Sequence, residues 1–184
     1  MVRSNLYVLT GGPGVGKSTI ATRLKQKGYT VIDEQAREYI ADIKNGDAAG
    51  ALPEDDPQRF NEGLVQRMRN TYHSYLPDAS DVVLDRSHGD VFAYAAVFNF
   101  SPPRLAYKLW ERFPLRAAFI LDPLESYRKD SARWENKELA QEIHTTLEET
   151  YRQKGVSVIN VPVFSSNKEQ SIDQRTQFIL SHMD

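Results

Sequence analysis

A glycine-rich segment near the amino terminus constrains this chain more than any other feature. It satisfies the pattern G-x-x-x-x-G-K-[ST] with Gly11, Gly12, Pro13, Gly14, Val15, Gly16, Lys17, Ser18 and Thr19. Glycines let an anion approach the main chain without obstruction from a Cβ atom, in conformations that other residues resist. The pattern therefore predicts a loop whose backbone N–H groups surround a chain of phosphates.

The sequence on either side of this loop supports the interpretation. An apolar run at residues 6–10 precedes the loop, and a helix is predicted from residue 17 to about residue 27. Such a helix directs its free N–H groups and the positive end of its dipole at the anion. We expect Lys17 to reach the β- and γ-phosphates of ATP and the Ser18 hydroxyl to coordinate Mg²⁺. This context disfavours the alternative of a glycine-rich turn that binds nothing.

Short apolar runs alternate with helical segments along the rest of the chain. Candidate strands cover residues 6–10, 29–33, 81–84, 117–121 and 156–161. Apolar side chains recur every fourth residue at Phe60, Leu64, Met68 and Tyr72, which predicts a helix with one stripe facing the core. Strands that alternate with helices indicate an α/β fold with a mostly parallel sheet. No linker divides the chain, so we expect one domain over residues 1–184.

The composition excludes several classes of protein. The 184 residues include 23 Lys and Arg against 25 Asp and Glu, so there is no overall positive field to attract nucleic acid or an anionic membrane. There is no cysteine, which removes disulfides, thiolate zinc sites and thiol catalysis and is typical of a reducing cytoplasm. No apolar stretch approaches the roughly 20 residues that span a bilayer. We therefore expect a cytoplasmic protein without a nucleic-acid or membrane partner.

A carboxylate follows the third candidate strand. Asp85 is placed as the second group that organises Mg²⁺, together with Ser18. ATP-hydrolysing motors usually have a glutamate directly after this aspartate, whereas this chain has Arg86. An arginine there favours charge stabilisation of a transferring phosphoryl group over activation of water.

Glu34 ends the second candidate strand, where ligands of open α/β sheets gather. We expect it to accept a proton from a substrate hydroxyl, with electrostatic capping of the next helix as the alternative. Arg37 lies one helical turn further on. It either pairs with Glu34 or grips a substrate anion, and an ordinary surface ion pair is equally compatible with its position.

Positive charge clusters after the fourth strand, in a segment predicted to form a helical lid over about residues 123–137. Arg128 and Arg133 are about 140° apart on an ideal helix, so they are placed to bracket a nucleotide from two sides. A solvated, charged helix is the alternative. Trp134 belongs to this segment, and both Trp110 and Trp134 are expected to be packing residues.

Asp90 and His88 follow Asp85 and Arg86 closely in the sequence. Two such residues at this spacing make a poor metal site. We expect Asp90 to cap a helix or to contact the substrate, and His88 has no predicted role.

With the loop at 11–19, Glu34, the segment 85–90 and the arginine-rich lid in this order, the chain resembles small single-domain AAA-type predicted ATPases related to nicotinamide riboside kinase. It also shares features with deoxynucleoside kinases. The resemblance extends over nearly the whole chain and includes EQARE at 34–38, ALPEDDPQRF at 51–60 and YRKDSAR at 127–133. It implies a P-loop NTPase fold, a three-layer sandwich with five parallel strands in the order 2-3-1-4-5.

The resemblance to deoxynucleoside kinases also implies roles for individual residues. In those kinases a glutamate after the second strand is the base for the acceptor hydroxyl, and an acidic-Arg-Ser motif ends the third strand. Glu34 and Asp85-Arg86-Ser87 match these positions, while the lid arginines match Arg128 and Arg133 more loosely.

Three functions are compatible with these features. The first is a MgATP-dependent kinase, monomeric or homodimeric, of a small hydroxyl or phosphate acceptor such as a nucleoside, nucleotide or riboside. The second is a nucleotide-dependent switch read by a protein partner; Asn167-Lys168-Glu169-Gln170 resembles a guanine-reading motif but lacks its final carboxylate, which favours adenine. The third is an oligomeric mechanochemical ATPase, disfavoured by Arg86 after Asp85.

Overall fold

The structure of the chain, a computed structural model, describes residues 5–75, 81–124 and 137–183. The strands within these ranges are β1 (Asn5–Thr10), β2 (Thr30–Ile32), β3 (Asp81–Asp85), β4 (Leu115–Leu121) and β5 (Ser157–Val161). The helices are α1 (Lys17–Gln26), α2 (Gln35–Asn45), α3 (Pro57–Tyr75), α4 (Asp90–Val97), α5 (Arg104–Arg112), α6 (Lys137–Gln153) and α7 (Lys168–Leu180). Of the helices in these ranges, none combines the length and the apolar character that crossing a bilayer needs.

The strands form one parallel sheet in the order β2-β3-β1-β4-β5. This order confirms the predicted α/β fold, with β3 beside β1. Because every strand runs in the same direction, all their carboxyl ends meet at one edge of the sheet. The loops that follow β1, β2 and β3 are therefore neighbours, although they are far apart in sequence.

Helices cover both faces of the sheet, which makes three layers. Alternate side chains of β1 enter different cores, since Leu6 and Val8 belong to one cluster and Tyr7 and Leu9 to the other. The first cluster includes residues of α2 to α6, and the second includes residues of α1 and α7. Sheets covered on both faces need apolar side chains at nearly every strand position, which explains the uniformly apolar runs in the sequence.

The predicted core-facing stripe lies on α3, where Phe60, Leu64, Met68 and Tyr72 are all buried. β2 lacks both end residues of the predicted range 29–33, Tyr29 and Asp33; at the first end the main-chain N–H of Tyr29 donates to the Leu24 carbonyl at 3.1 Å, where α1 ends. Gly28 has φ 89° there, in the left-handed conformation that ends helices. Local helix closure thus removes one residue from the edge strand.

A left-handed asparagine closes α4. Asn99 has φ 52°, and the N–H of Phe100 donates to the Ala95 carbonyl at 3.0 Å. We expect Asn99→Val to lower the free energy of unfolding by about 1–2 kcal/mol, because a β-branched residue resists positive φ. Asn99→Gly should be tolerated. Urea denaturation of both variants checks this, and equal destabilisation by Val and Gly would contradict it.

Candidate active site

The glycine-rich loop joins β1 to α1 and adopts backbone conformations that depend on glycine. Gly11, Gly14 and Gly16 have φ values of 133°, 84° and 95°. A Cβ atom on Gly11 would lie 2.8 Å from the Leu121 carbonyl oxygen, so the loop also packs too closely on β4 for a side chain. The sequence pattern and the observed conformation therefore agree on a loop that presents its main chain.

Lys17 lies over this loop. Its Nζ donates hydrogen bonds to the carbonyls of Gly11 at 3.0 Å and Gly12 at 2.9 Å, and the side chain is buried. Burial and then the nearby positive charge of Arg86 hold the pKa of Lys17 well below its usual range. Among the residues that the structure describes, the hydrogen-bond partners of this buried ammonium are uncharged carbonyls, and a bound polyphosphate would supply a counter-charge.

Arg86 is the centre of a buried charge cluster at the carboxyl end of β3. Its Nε donates to Glu34 Oε1 at 3.1 Å, and its second contact is to Asp90 Oδ2 at 3.4 Å. Its guanidinium also lies over the Tyr94 ring, 5.5 Å from the centroid. Burial alone would lower the pKa of Arg86, but the surrounding Tyr94, Glu34 and Asp90 raise it above its usual value. Arg86 is thus a fixed cation beside the glycine-rich loop.

Glu34 sits at the start of α2, but its carboxylate makes no side-chain capping bond to that helix. It accepts the hydrogen bond from Arg86 and lies 3.5 Å from Arg37. Burial would raise the pKa of Glu34, yet Arg86, Lys17 and Arg37 outweigh it and lower that pKa. Glu34 is therefore an ionised carboxylate, and its contact with Arg37 is one of the alternatives that the sequence left open for that arginine.

Asp90 is the first residue of α4 and is buried beneath Arg86. Its carboxylate accepts hydrogen bonds from Thr10 Oγ1 at 3.1 Å and from the Tyr151 hydroxyl at 2.6 Å. Burial raises the pKa of Asp90, and Arg86 and the Tyr151 hydrogen bond offset part of that rise. These contacts hold the carboxylate against Arg86.

Asp85 and Ser18 are the residues predicted to organise Mg²⁺. Asp85 is buried, and its Oδ1 has no hydrogen-bond partner among the described residues. Burial raises the pKa of Asp85, while Lys17 lowers it. The described part of the chain contains no group of three or more His, Cys, Asp or Glu side chains that could hold a metal ion. One orphaned carboxylate oxygen and a hydroxyl fit Mg²⁺, which takes few protein ligands and completes its shell with phosphates and water.

A cavity of about 410 Å³ opens directly beside the loop. Its polar side is formed by Lys17, Ser18, Glu34, Arg86 and Asp90, with Arg37 at the same wall. Its other side is largely apolar and aromatic, with Phe60, Leu64, Met68, Tyr94, Phe98 and Phe100. The core-facing stripe of α3 therefore has a second role, since three of its residues line this cavity.

Several of these lining residues were not predicted from the sequence. Tyr94, Phe98 and Phe100 reach the cavity because α4 ends beside it at the left-handed Asn99. Asn61 adds an amide to the apolar wall, and its Nδ2 donates to the Pro57 carbonyl at 2.8 Å. The sequence signal that could have indicated these residues is FNFS at 98–101, in which an asparagine stands between two aromatic residues where a helix ends.

α6 packs against the glycine-rich loop at Gly12. The Gly12 N–H lies 3.4 Å from His144 Nδ1, and a Cβ atom on Gly12 would lie 2.7 Å from the Ala140 carbonyl oxygen. Burial lowers the pKa of His144, so the neutral ring is available as the acceptor. This contact was also missed, because nothing near His144 in the sequence marks it.

The other sequence-predicted residues lie outside the cavity or outside the described ranges. His88 is buried between Tyr72 and Trp110, and burial lowers its pKa to about 3, so it is a neutral core residue. Trp110 packs in the core as predicted. Asn167 immediately precedes α7 as its N-cap residue, and its side chain accepts a hydrogen bond from the Gln170 N–H. Arg128, Arg133, Trp134 and most of the predicted lid lie outside the described residues.

Comparison with solved structures shows the same fold in small kinases. Thymidylate kinase from Ehrlichia chaffeensis aligns with a TM-score of 0.68 and 14% identity, over 99% of this chain and 100% of that chain. Thymidylate kinase from Candida albicans gives 0.62 and 16%, over 98% and 91%. Deoxyadenosine kinase from M. mycoides, with dCMP and dCDP bound, gives 0.59 and 14%, over 97% and 98%.

Comparison of the sequence gives the family. No curated protein matches significantly. A family profile described as an AAA domain matches residues 6–170, which include the glycine-rich loop and the whole cluster around Arg86. The chain therefore belongs to this AAA domain family, in the P-loop kinase-like form of the fold.

Proposed function

We propose that the chain is a MgATP-dependent phosphotransferase that phosphorylates a hydroxyl group of a small organic acceptor of the nucleoside or riboside type. One observation carries this proposal. A single cavity is lined on one side by the phosphate loop and on the other by apolar and aromatic side chains. A phosphoryl donor and an organic acceptor would therefore meet in one cavity, where both can be held in the orientation that transfer requires.

The proposed donor site is the loop at residues 11–19. Its N–H groups and the start of α1 would bind the phosphates, and Lys17 would exchange its carbonyl partners for phosphate oxygens. Ser18 and Asp85 would hold Mg²⁺, which supplies charge neutralisation of the β- and γ-phosphates when it is bound. Arg86 is held in place before any ligand arrives, so its positive charge is preorganised for the transferring group.

Glu34 is the proposed proton acceptor. The acceptor oxygen forms a bond to the γ-phosphorus, the bond between that phosphorus and ADP breaks, and the hydroxyl proton passes to the Glu34 carboxylate. The lowered pKa of Glu34 makes it a weak base, but phosphoryl transfer has a loose transition state that depends more on positioning than on base strength. An ionised carboxylate fixed by Arg86 suits the task of orienting the hydroxyl.

The aromatic lining of the cavity favours an acceptor with a flat ring. Aromatic side chains such as Phe60, Tyr94 and Phe100 line it, and Asn61 offers one amide for a polar edge. A nucleotide-dependent switch remains the competing function, but it has no need of an apolar acceptor cavity.

A ligand screen tests the proposal. A ligand that binds only the folded chain raises the melting temperature, so a non-hydrolysable ATP analogue with Mg²⁺ should raise it and a true acceptor should raise it further. Nucleosides and ribosides should add to the analogue's shift, and the same compounds should be phosphorylated with ATP. If the folded chain fails to bind any nucleoside triphosphate in magnesium buffer, the proposal is wrong.

Blocking the cavity should separate acceptor binding from ATP binding. Phe100→Arg places a long cation at the apolar wall and is expected to raise the acceptor KM at least about tenfold, with little change in ATP affinity. Tyr75→Arg is the matched control, because Tyr75 is 64% exposed at the end of α3 and does not line the cavity. Equal acceptor KM values for the two variants would place the acceptor elsewhere.

A further inference from the structure

Arg175 is a buried arginine that the site described above does not use. It lies on α7 within a buried stripe formed by Ile172, Thr176 and Ile179, at 2% exposure. Within the described ranges its guanidinium donates hydrogen bonds to three main-chain carbonyls: Nε to Pro162 at 2.9 Å, NH1 to Val15 at 2.9 Å and NH2 to Asp122 at 2.8 Å. Burying a charged side chain costs free energy unless hydrogen bonds compensate, and uncharged carbonyls compensate only in part. The position of Arg175 therefore needs an explanation.

The three carbonyls belong to three different segments at the same edge of the sheet. Val15 is in the phosphate loop, Asp122 directly follows β4, and Pro162 directly follows β5. β4 and β5 are paired with Leu121 opposite Val161, so the last two segments leave the sheet side by side. Arg175 therefore connects the phosphate loop to the two neighbouring strand exits through one rigid group.

The two strand exits also carry exposed apolar side chains. Leu124, Val163 and Phe164 are each more than a third exposed, and they follow the residues whose carbonyls Arg175 binds. Phe164 packs against Phe178 of α7, with ring centroids 5.4 Å apart. Exposed apolar side chains at the carboxyl ends of parallel strands, next to a phosphate loop, offer a surface for the nucleoside half of a nucleotide.

We propose that Arg175 is a positioning residue of the nucleotide site. It fixes the position of the phosphate loop relative to the segments that follow β4 and β5, which would contact the nucleoside half of ATP. This inference rests on the proposed function, because it needs a nucleoside triphosphate in the loop. The planar guanidinium supplies donors in fixed directions, so it sets the mutual distances of three segments at once. A lysine ammonium carries the same charge but lacks that fixed fork.

The test compares Mg²⁺-loaded ATP with inorganic tripolyphosphate, which has no nucleoside half. In Arg175→Met and Arg175→Lys the affinity for ATP is expected to fall about tenfold to a hundredfold, and the affinity for tripolyphosphate much less. The readout is the ratio of the two dissociation constants from calorimetry, measured well below each melting temperature. A merely structural arginine would lower the melting temperature without changing this ratio.

Ile179→Ala is the matched control, a buried change one helical turn away that removes packing but no hydrogen bond to the loop. It should lower the melting temperature and leave the ratio within about twofold of wild type. An unchanged ratio in both Arg175 variants, or the same change in Ile179→Ala, would overturn the inference while leaving the proposed function intact. A wild-type chain that binds neither ligand would instead remove the proposed function and this inference together.

Discussion

Lys17→Met is expected to lower kcat/KM for phosphoryl transfer at least about 10²- to 10³-fold, and to abolish the melting-temperature increase caused by MgATP. The amine contacts the carbonyls of Gly11 and Gly12 in the structure, so it lies where the phosphates would bind. Methionine fills a similar volume but cannot donate a hydrogen bond or carry charge. The measurements are steady-state kinetics and a thermal-shift titration with ATP.

The matched control for this variant is Lys27→Met. Lys27 is exposed at the carboxyl end of α1, so the same substitution removes the same charge from the same helix, away from the loop. Lys27→Met should bind ATP as the wild type does. If Lys17→Met kept its response to ATP, the loop would not bind phosphate in the way its pattern predicts.

The same Lys17→Met chain should be at least as stable as wild type without ligand. Burial, and then Arg86, lower the pKa of Lys17 from 10.5 to about 7, so the folded state disfavours the charged amine. Below pH 7 the amine is protonated in both the folded and the unfolded chain, so the folded chain is destabilised by the whole cost of burying the charge. As the pH rises from about 7 towards 10.5 the folded chain has lost this proton while the unfolded chain still binds it, and the destabilisation disappears. The stability gained by Lys17→Met should therefore be largest at or below pH 7, as urea denaturation at several pH values would show.

Much of the fold could be predicted from the sequence because its signals are local. Five short apolar runs and the periodic stripe on α3 mark elements that each form within a few residues. The boundaries were less exact for a local reason too, since the closure of α1 uses the N–H of Tyr29 and shortens β2. The strand order followed from a resemblance, because pairing between distant strands has no signature in any one segment.

The residues of the candidate site could likewise be predicted where their signal is local, but the contacts between distant residues could not. The phosphate loop is contiguous, so its pattern is visible, and Glu34 and Arg86 were visible as polar residues at strand ends. Their contact joins residues 52 positions apart, and it exists only because β2 and β3 are neighbours in the sheet. Arg175 was missed because its partners are backbone carbonyls, which leave no trace in the sequence.

His88 shows how a residue type can mislead when its surroundings are unknown. Beside Asp85 and Asp90 in the sequence it suggests metal or acid–base chemistry, and no role was predicted for it. In the structure its ring is enclosed by aromatic neighbours, and burial lowers its pKa to about 3. The direction in which a side chain leaves its turn, here towards the core between α3 and α5, decides its role.

Glu34→Gln is expected to lower kcat about 10²- to 10⁴-fold while ATP affinity stays within about twofold of wild type. The amide keeps the shape of the carboxylate and can still accept a hydrogen bond from Arg86, but it cannot take the acceptor's proton. The phosphate loop lies on other elements and should be undisturbed. Single-turnover transfer to a verified acceptor measures kcat, and calorimetry measures ATP affinity.

Glu38→Gln separates the role of Glu34 from a general effect of charge on α2. Glu38 lies one turn along the same helix and pairs with Arg67 on α3, away from the cavity, so its loss should leave kcat nearly unchanged. Because Arg86, Lys17 and Arg37 lower the pKa of Glu34, its ionised form persists as the pH falls below the usual range of a glutamate. Wild-type kcat should therefore not decline between pH 7 and about 5 through protonation of Glu34. Unchanged transfer by Glu34→Gln would remove Glu34 from the mechanism and leave Arg86 as the main contributor on this wall.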